Sequence, residues 1–299
     1  MKKMLITGGT VFVSRYAAEF FSKNYEVYVL NRNSKPQSSG VTLIEADRHN
    51  LNNILKKYHF DVVLDITAYT SQDIDDLLDG LGSFEDYIFI SSSAVYPETN
   101  LQPFREEDVI AANRYWGTYG TNKIESEKTL ISRVSNAYIL RPPYLYGPMN
   151  NVYREAFVFD CARNGLPFYL PGEGSMKLQF FHIRDLCCFV EIILQKHPVQ
   201  HIFNVGNQKS VTIRQWAALC YEAAGCPISF VEIPKTLEQR TFFPFYDYEY
   251  ALDVSKMGEY LNETTDFHQG IRECYDWYKN NETSVCKKTY IDFIEQNFR

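Results

Sequence analysis

The 299-residue sequence has no surplus of positive charge: 30 Lys and Arg face 37 Asp and Glu, for a formal net charge of −7. Such a chain repels polyanions as a whole, so neither a nucleic-acid partner nor an anionic membrane surface is expected. No apolar run comes near the roughly 20 residues that a bilayer crossing takes. The stretch MKKMLITGG meets glycine before a secretory apolar core develops, and a cytoplasmic location is the expectation. C-x-x-C pairs are absent. The seven cysteines, with Cys187 and Cys188 adjacent in an apolar run, suit reduced buried thiols rather than a disulfide framework. The six histidines show no H-E-x-x-H or similar spacing, so no metal site is expected. Internal repeats and low-complexity tracts are missing as well, which leaves an ordered globular chain.

What is present is 45% hydrophobic and 22% charged, enough for one large domain or two that share an interface. Through the first half, apolar runs alternate with segments of helical periodicity. KMLIT, YEVYVLN, VTLIEAD, DVVLDIT, DYIFISS and NAYILRP read as strands, and SRYAAEFFSKN and SQDIDDLLDGLG as helices between them. That rhythm predicts an α/β fold with a doubly wound parallel sheet. After RPPYLYGPMN the alternation breaks. Residues 1–150 are therefore expected to form one unit and residues 151–299 a smaller C-terminal α/β lobe, with a cleft between them.

TGGTVFVSR follows the first strand, where a glycine-rich turn into a helix would hold a dinucleotide. Gly8 meets the need for a tight turn, but Val11 stands where backbone should approach the pyrophosphate and Ser14 where helix and strand should pack closely. Val11 is tolerable only if the turn keeps its φ negative or the cofactor shifts. At the end of the second strand, where an acid would bind ribose hydroxyls, the sequence has Asn31 and Arg32. Loss of the carboxylate and gain of a guanidinium lean the choice toward NADP over NAD. Asp47, in EADRHN, either accepts from an adenine amino group or caps the next helix.

SSSAVY, residues 91–96, follows the apolar YIFI, and YGTNK sets Tyr119 and Lys123 four apart, on one face of a helix. An ordinary phenol, with a pKa of about 10, is a poor base at neutral pH. A nearby lysine charge favours the tyrosinate, and a serine hydroxyl at a strand end can bridge phenol and substrate oxygen.

On TGGTVFVS, DR, SSSAVYP, YGTNK, RPPYLYGP, FFHIRDL, FNVGN, LDVSK and GIRECYDWY, taken in order, the chain resembles an extended short-chain dehydrogenase/reductase of the NAD(P)-dependent sugar epimerase/dehydratase family. The resemblance implies a Rossmann-like domain over residues 1–150 and a substrate lobe over 151–299, with segments near 177–205 returning to the first. It implies Ser92, Tyr119 and Lys123 as the catalytic residues, Lys123 also holding the nicotinamide ribose and lowering the Tyr119 pKa. A cofactor site is implied at Gly8, Thr10, Val11, Phe12, Val13, Asn31, Arg32, Asp47, Arg48, Thr67, Ala68, Tyr119, Lys123 and Pro142. Pairing through two helices from each chain implies a possible homodimer, and His182 and Asp185 become contacts between lobes rather than metal ligands.

Departures narrow the activity. Ser93 and Ala94 stand where the family's 4,6-dehydratases have an Asp-Glu pair, so dehydration is disfavoured. Leu178 replaces a frequent diphosphate-binding Arg, for which Lys177 is a substitute, and Tyr144 replaces a substrate-contacting Asn; Ser93, Tyr144 and Lys177 are the candidate substrate residues. The aromatic run at 240–250 either lines a cleft or packs the second lobe. The expected function is an NAD(P)-dependent epimerase or reductase acting on a sugar or nucleotide-sugar hydroxyl or keto group. The alternative is a non-enzymatic dinucleotide-binding redox sensor or RNA-associated relative.

Overall fold

The computed structural model describes residues 1–234 and 236–298. Its centre is a seven-stranded sheet of β1 (Lys3–Thr7), β2 (Glu26–Asn31), β3 (Val41–Glu45), β4 (His59–Asp65), β5 (Ser83–Ile90), β6 (Tyr138–Arg141) and β11 (Ile202–Asn204). The strands run in the order β11-β6-β5-β4-β1-β2-β3, and every pairing between them is parallel. This is the doubly wound α/β sheet expected from the alternation and the Rossmann-like fold that the resemblance implies. Successive residues of β1 serve opposite faces. Met4 and Ile6 join a core that includes Ala17, Ala18 and Phe21, whereas Leu5 joins one that includes Ile74, Leu77 and Leu130. Burial on both faces is why the strands read as unbroken apolar runs.

Helix α1 (Phe12–Phe21) supplies the first set, and α2 (Ser71–Gly80) with α3 (Gly117–Arg133) the second. A capping box sets the start of α2: Thr70 Oγ1 accepts from Asp73 N, and Asp73 returns a carboxylate oxygen to Thr70 N. The three-residue β11 extends the sheet beside β6, a seventh strand beyond the six expected.

Three smaller pairs lie outside the sheet. β7 (Tyr144–Tyr146) joins β10 (Phe180–His182), β8 (Phe168–Pro171) joins β13 (Phe230–Ile233), and β9 (Lys177–Leu178) joins β12 (Val211–Thr212). Helices α4 (Glu155–Arg163), α5 (Ile183–Lys196), α6 (Ile213–Ala224), α7 (Ser255–Gly258), α8 (Phe267–Tyr278) and α9 (Tyr290–Phe298) complete the chain. Trp216, Phe180, Phe243 and Phe245 pack ring against ring in the core of this second half. No helix among the described residues is long and apolar enough to cross a membrane.

Candidate active site

In a doubly wound sheet, ligands settle at the carboxyl ends of the strands, where the strand order reverses. Here that point lies between β1 and β4. A cleft of about 740 Å³ opens there, bounded by residues 11–14, the ends of β4 and β5, the start of α3, and Arg154, Arg240, Tyr246 and Tyr250 from the second half.

The loop from β1 to α1 turns on Gly8 and Gly9, at φ +91° and +95°. A Cβ on Gly8 would lie 2.7 Å from Ser14 Oγ, and one on Gly9 would lie 2.6 Å from Val29 Cγ1. Ser14 fits the crowded position because its hydroxyl donates to Val11 O at 3.0 Å. Val11 is extended, at φ −138°, so its branched side chain carries no strain. The positive φ falls instead on Phe12, at +38°. Val11, Phe12 and Val13 all line the cleft.

Beneath the loop lies a buried polar network that the sequence did not reveal. Asp65 ends β4 with no exposed surface, and accepts from Thr7 Oγ1 at 2.7 Å, Tyr87 Oη at 2.7 Å and Arg48 Nη2 at 2.8 Å. Burial pushes the Asp65 carboxyl up. Arg48 and the two hydroxyls outweigh it and hold the group below the usual carboxylate range. Thr7 Oγ1 in turn accepts from the amides of Ile66 and Thr67, tying the β1 and β4 loops together.

Ser92, Tyr119 and Lys123 all line the cleft. Lys123 is 2% exposed, and its ammonium donates to Ala68 O at 2.7 Å and Ile90 O at 2.9 Å. Burial pulls its pKa down to about 8, against the fields of Asp65 and Glu127. Tyr119 is 39% exposed overall, yet burial raises its phenol pKa, with the Ser92 hydroxyl and the Arg154 charge pulling the other way. The direction is opposite to the lowering expected from Lys123, because desolvation of the phenol dominates.

The other expected residues divide. Thr67, Pro142, Ser93 and Tyr144 line the cleft, while Ala68 contributes the carbonyl that receives Lys123. Gly8, Thr10, Asn31, Arg32, Asp47 and Arg48 lie outside its lining. Asn31 donates to Gly8 O at 2.7 Å and to Gln37 Oε1, and its oxygen accepts from Asn33 N; it braces the turn and has no free donor for a ribose. Asp47 takes the capping alternative, accepting from His49 N. Arg48 donates to Asp65 through Nη2, while its Nη1 is buried without a hydrogen-bond partner. Arg32 is exposed and makes no hydrogen bond or ion pair among the described residues. Lys177 is exposed on β9 and does not line the cleft.

Cleft groups that escaped the sequence reading include Arg154, Tyr69 and Trp116. Arg154 opens α4 with its guanidinium 5.0 Å from the Tyr144 ring centre. The run at 240–250 carries both of its expected meanings at once. Phe242, Phe243 and Phe245 are buried in the core, and Arg240, Tyr246 and Tyr250 face the cleft. Ser93 Oγ donates to Tyr250 Oη at 3.1 Å. His182 is fully buried, its Nδ1 accepting from Arg184 N, and Asp185 accepts from Thr265 N and Oγ1. At the opposite, amino end of the sheet, His59, Asp61 and Glu85 bring ligand-type atoms within 4.8 Å of one another, away from the cleft.

Comparison with known proteins agrees with the family resemblance. Residues 76–206 match the model of the NAD dependent epimerase/dehydratase family. The chain is 28% identical over 302 residues to the chloroplast stem-loop binding protein of 41 kDa b of Arabidopsis thaliana, covering 92% of this chain and 79% of that protein. It is 23% identical over 330 residues to a trifunctional UDP-glucose 4,6-dehydratase/UDP-4-keto-6-deoxy-D-glucose 3,5-epimerase/UDP-4-keto-L-rhamnose-reductase of the same plant. That alignment covers 94% of this chain and 48% of the relative, so the chain spans about half its length. Among solved structures, the UDP-glucose 4-epimerase of Thermotoga maritima superposes with a TM-score of 0.76 at 18% identity, covering 94% and 99% of the two chains. The dTDP-glucose 4,6-dehydratase of Bacillus anthracis, in complex with NAD, gives 0.75 at 18%, covering 95% and 99%. These likenesses establish the fold.

Proposed function

We propose that this chain, matched to the NAD dependent epimerase/dehydratase family through its middle third and beyond, is an NAD(P)-dependent epimerase or reductase acting on a nucleotide sugar. The observation that carries the reading is the convergence of Ser92, Tyr119 and Lys123 on one cleft at the carboxyl ends of the strands. In this reading residues 1–150 hold the cofactor and residues 151–299 the substrate.

The residues fit a dinucleotide. Gly8 and Gly9 keep the turn free of side chains, and residues 11–14 bring the start of α1, with its unpaired amides, to the cleft. Arg32, exposed and without an acidic partner, supports NADP over NAD. When bound, the nicotinamide supplies reversible hydride transfer.

The chain's own residues move the proton and steady the charge. The Tyr119 phenolate accepts the proton of the substrate hydroxyl in one direction and the phenol returns it in the other. The Ser92 hydroxyl donates to the substrate oxygen as negative charge develops there. Lys123, charged at neutral pH, favours the anionic state of the phenol from below. Ser93, occupied with Tyr250, and the apolar Ala94 offer no acid-base pair, which argues against 4,6-dehydration.

A non-enzymatic role gains weight from the name of the chloroplast stem-loop binding relative. The net charge of −7 and the retention of all three catalytic-type side chains in the cleft favour the enzyme. Titration of the purified protein with NADH and NADPH, followed by turnover of nucleotide sugars by wild type and Tyr119→Phe, tests the proposal. Unchanged turnover in the variant would remove the catalytic reading.

A further inference from the structure

At the end of the sheet opposite the cleft, the neighbouring strands β4 and β5 begin with ligand-type side chains that the proposed chemistry does not use. His59 pairs with Ser83 and Val62 with Asp86 in the parallel register, which sets Asp61 beside Glu85. One ring nitrogen of His59 and one carboxylate oxygen each from Asp61 and Glu85 lie within 4.8 Å of one another. His59 Nε2 is 3.8 Å from Glu85 Oε1. Two ligand atoms placed tetrahedrally on a zinc ion are about 3.3 Å apart, so this pair has only about half an ångström to close. Both side chains are more than half exposed and free to draw in.

Two of the three ligands are held from outside the set. Ser83 Oγ lies 2.8 Å from His59 Nδ1. With the hydroxyl accepting the Nδ1 proton, the Nε2 lone pair is left toward Glu85. The amide of Lys3, in β1, donates to Asp61 Oδ2 at 2.6 Å and leaves Oδ1 without a partner among the described residues. Histidines that bind metals characteristically have the second ring nitrogen tied in this way, which fixes tautomer and ring orientation. No lysine or arginine forms an ion pair with Asp61 or Glu85 among the described residues, so two carboxylates and an imidazole converge without a cation to balance them.

We infer that His59, Asp61 and Glu85 form a binding site for a divalent transition-metal ion of the zinc type, with water completing its coordination, and that the ion clips the amino ends of β4 and β5 together. The imidazole selects such an ion over magnesium and calcium, which favour all-oxygen sets. The site stands apart from the nucleotide-sugar reading and adds no step to it. Its ligands are divided between two strands, Glu85 following Asp61 by twenty-four positions, and leave none of the helix-type spacings by which metal motifs are read. That is why the sequence raised no such expectation.

Zinc titration of the purified, chelator-treated protein, read by competition with a chromogenic zinc indicator, tests the site. A Cys286→Ser background removes the exposed thiol, itself a ligand for zinc. A single equivalent of zinc is expected to bind and to raise the melting temperature. Ser83→Ala should weaken binding about tenfold, within the range for loss of an outer-shell partner, and His59→Ala and Glu85→Gln, which remove ligands, at least about a hundredfold. His49→Ala removes the imidazole that lies 2.6 Å from Asp76 and should leave binding unchanged. The replaced side chains of His59 and Glu85 are exposed, so the variants keep the fold, which zinc-free melting curves verify. Failure of the protein to compete for zinc, wild-type affinity in His59→Ala or Glu85→Gln, loss of binding in His49→Ala, or displacement of zinc by an equal concentration of magnesium would each overturn the inference.

Discussion

The ammonium of Lys123 donates to the carbonyl of Ala68 at 2.7 Å, which fixes a buried cation between the ends of β4 and β5. A second carbonyl, Ile90 O, leaves it one N–H for the cleft. Because burial has brought its pKa down to about 8, the charged fraction falls as pH rises through that value. Affinity for the anionic NADPH is expected to decline between about pH 7 and 9, and the decline to vanish in Lys123→Met. Fluorescence titrations across that range check it; a flat wild-type profile would refute it.

Tyr119→Phe keeps the ring and removes the proton carrier. Turnover should fall at least about a hundredfold, the usual scale of general acid-base catalysis, with NADPH affinity within a factor of about two of wild type. Steady-state kinetics and a cofactor titration measure the two quantities separately.

Arg32→Ala should weaken NADPH by about tenfold or more and leave NADH unaltered, since a guanidinium without an internal partner is available to a 2′-phosphate. Parallel titrations decide it, and equal losses for both cofactors would assign Arg32 a merely general electrostatic role.

Asp65→Asn leaves Arg48 buried without its counter-charge. A destabilisation of about 3 kcal/mol is expected, read from urea unfolding. The pH sign follows from the lowered Asp65 pKa. Its stabilising share is present above the unfolded-state value of about 3.9 and is lost as pH falls through the folded value. Wild type should therefore lose more stability than the variant on acidification.

Val11→Gly tests the altered loop. Removing the side chain that borders the cleft should tighten NADPH several-fold by letting backbone approach the pyrophosphate. No gain would mean that Val11, already extended at φ −138°, costs the site nothing.

The sheet was legible because strands buried on both faces leave continuous apolar runs, as at KMLIT and YIFI. β11 left no periodic signal, being three residues beside β6, and only the family resemblance pointed to segments near 177–205 returning to the first half. Tyr119 and Lys123 could be paired because four-residue spacing sets them on one helix face, whereas Ser92, twenty-seven residues before Tyr119, was pointed to only by the family resemblance. The role of Arg48 was not legible, since its partner Asp65 lies seventeen residues on and meets it only after β4 has folded into the sheet. Arg154 and Arg240 are eighty-six positions apart and acquire meaning only where the second half closes over the first. Lys177, in β9 paired with β12, is exposed and outside the cleft lining, a placement that its neighbourhood in sequence does not reveal.

Asn31 ties Gly8 O from one side while Gly8 N holds Leu30 O from the other. A turn fastened before any ligand arrives gives up little freedom on contact, so encounter need not wait for the loop to find its shape. On the proposed reading, residence time, set by how firmly residues 11–14 would grip a pyrophosphate, would then separate a cofactor that stays through many turnovers from one that exchanges after each.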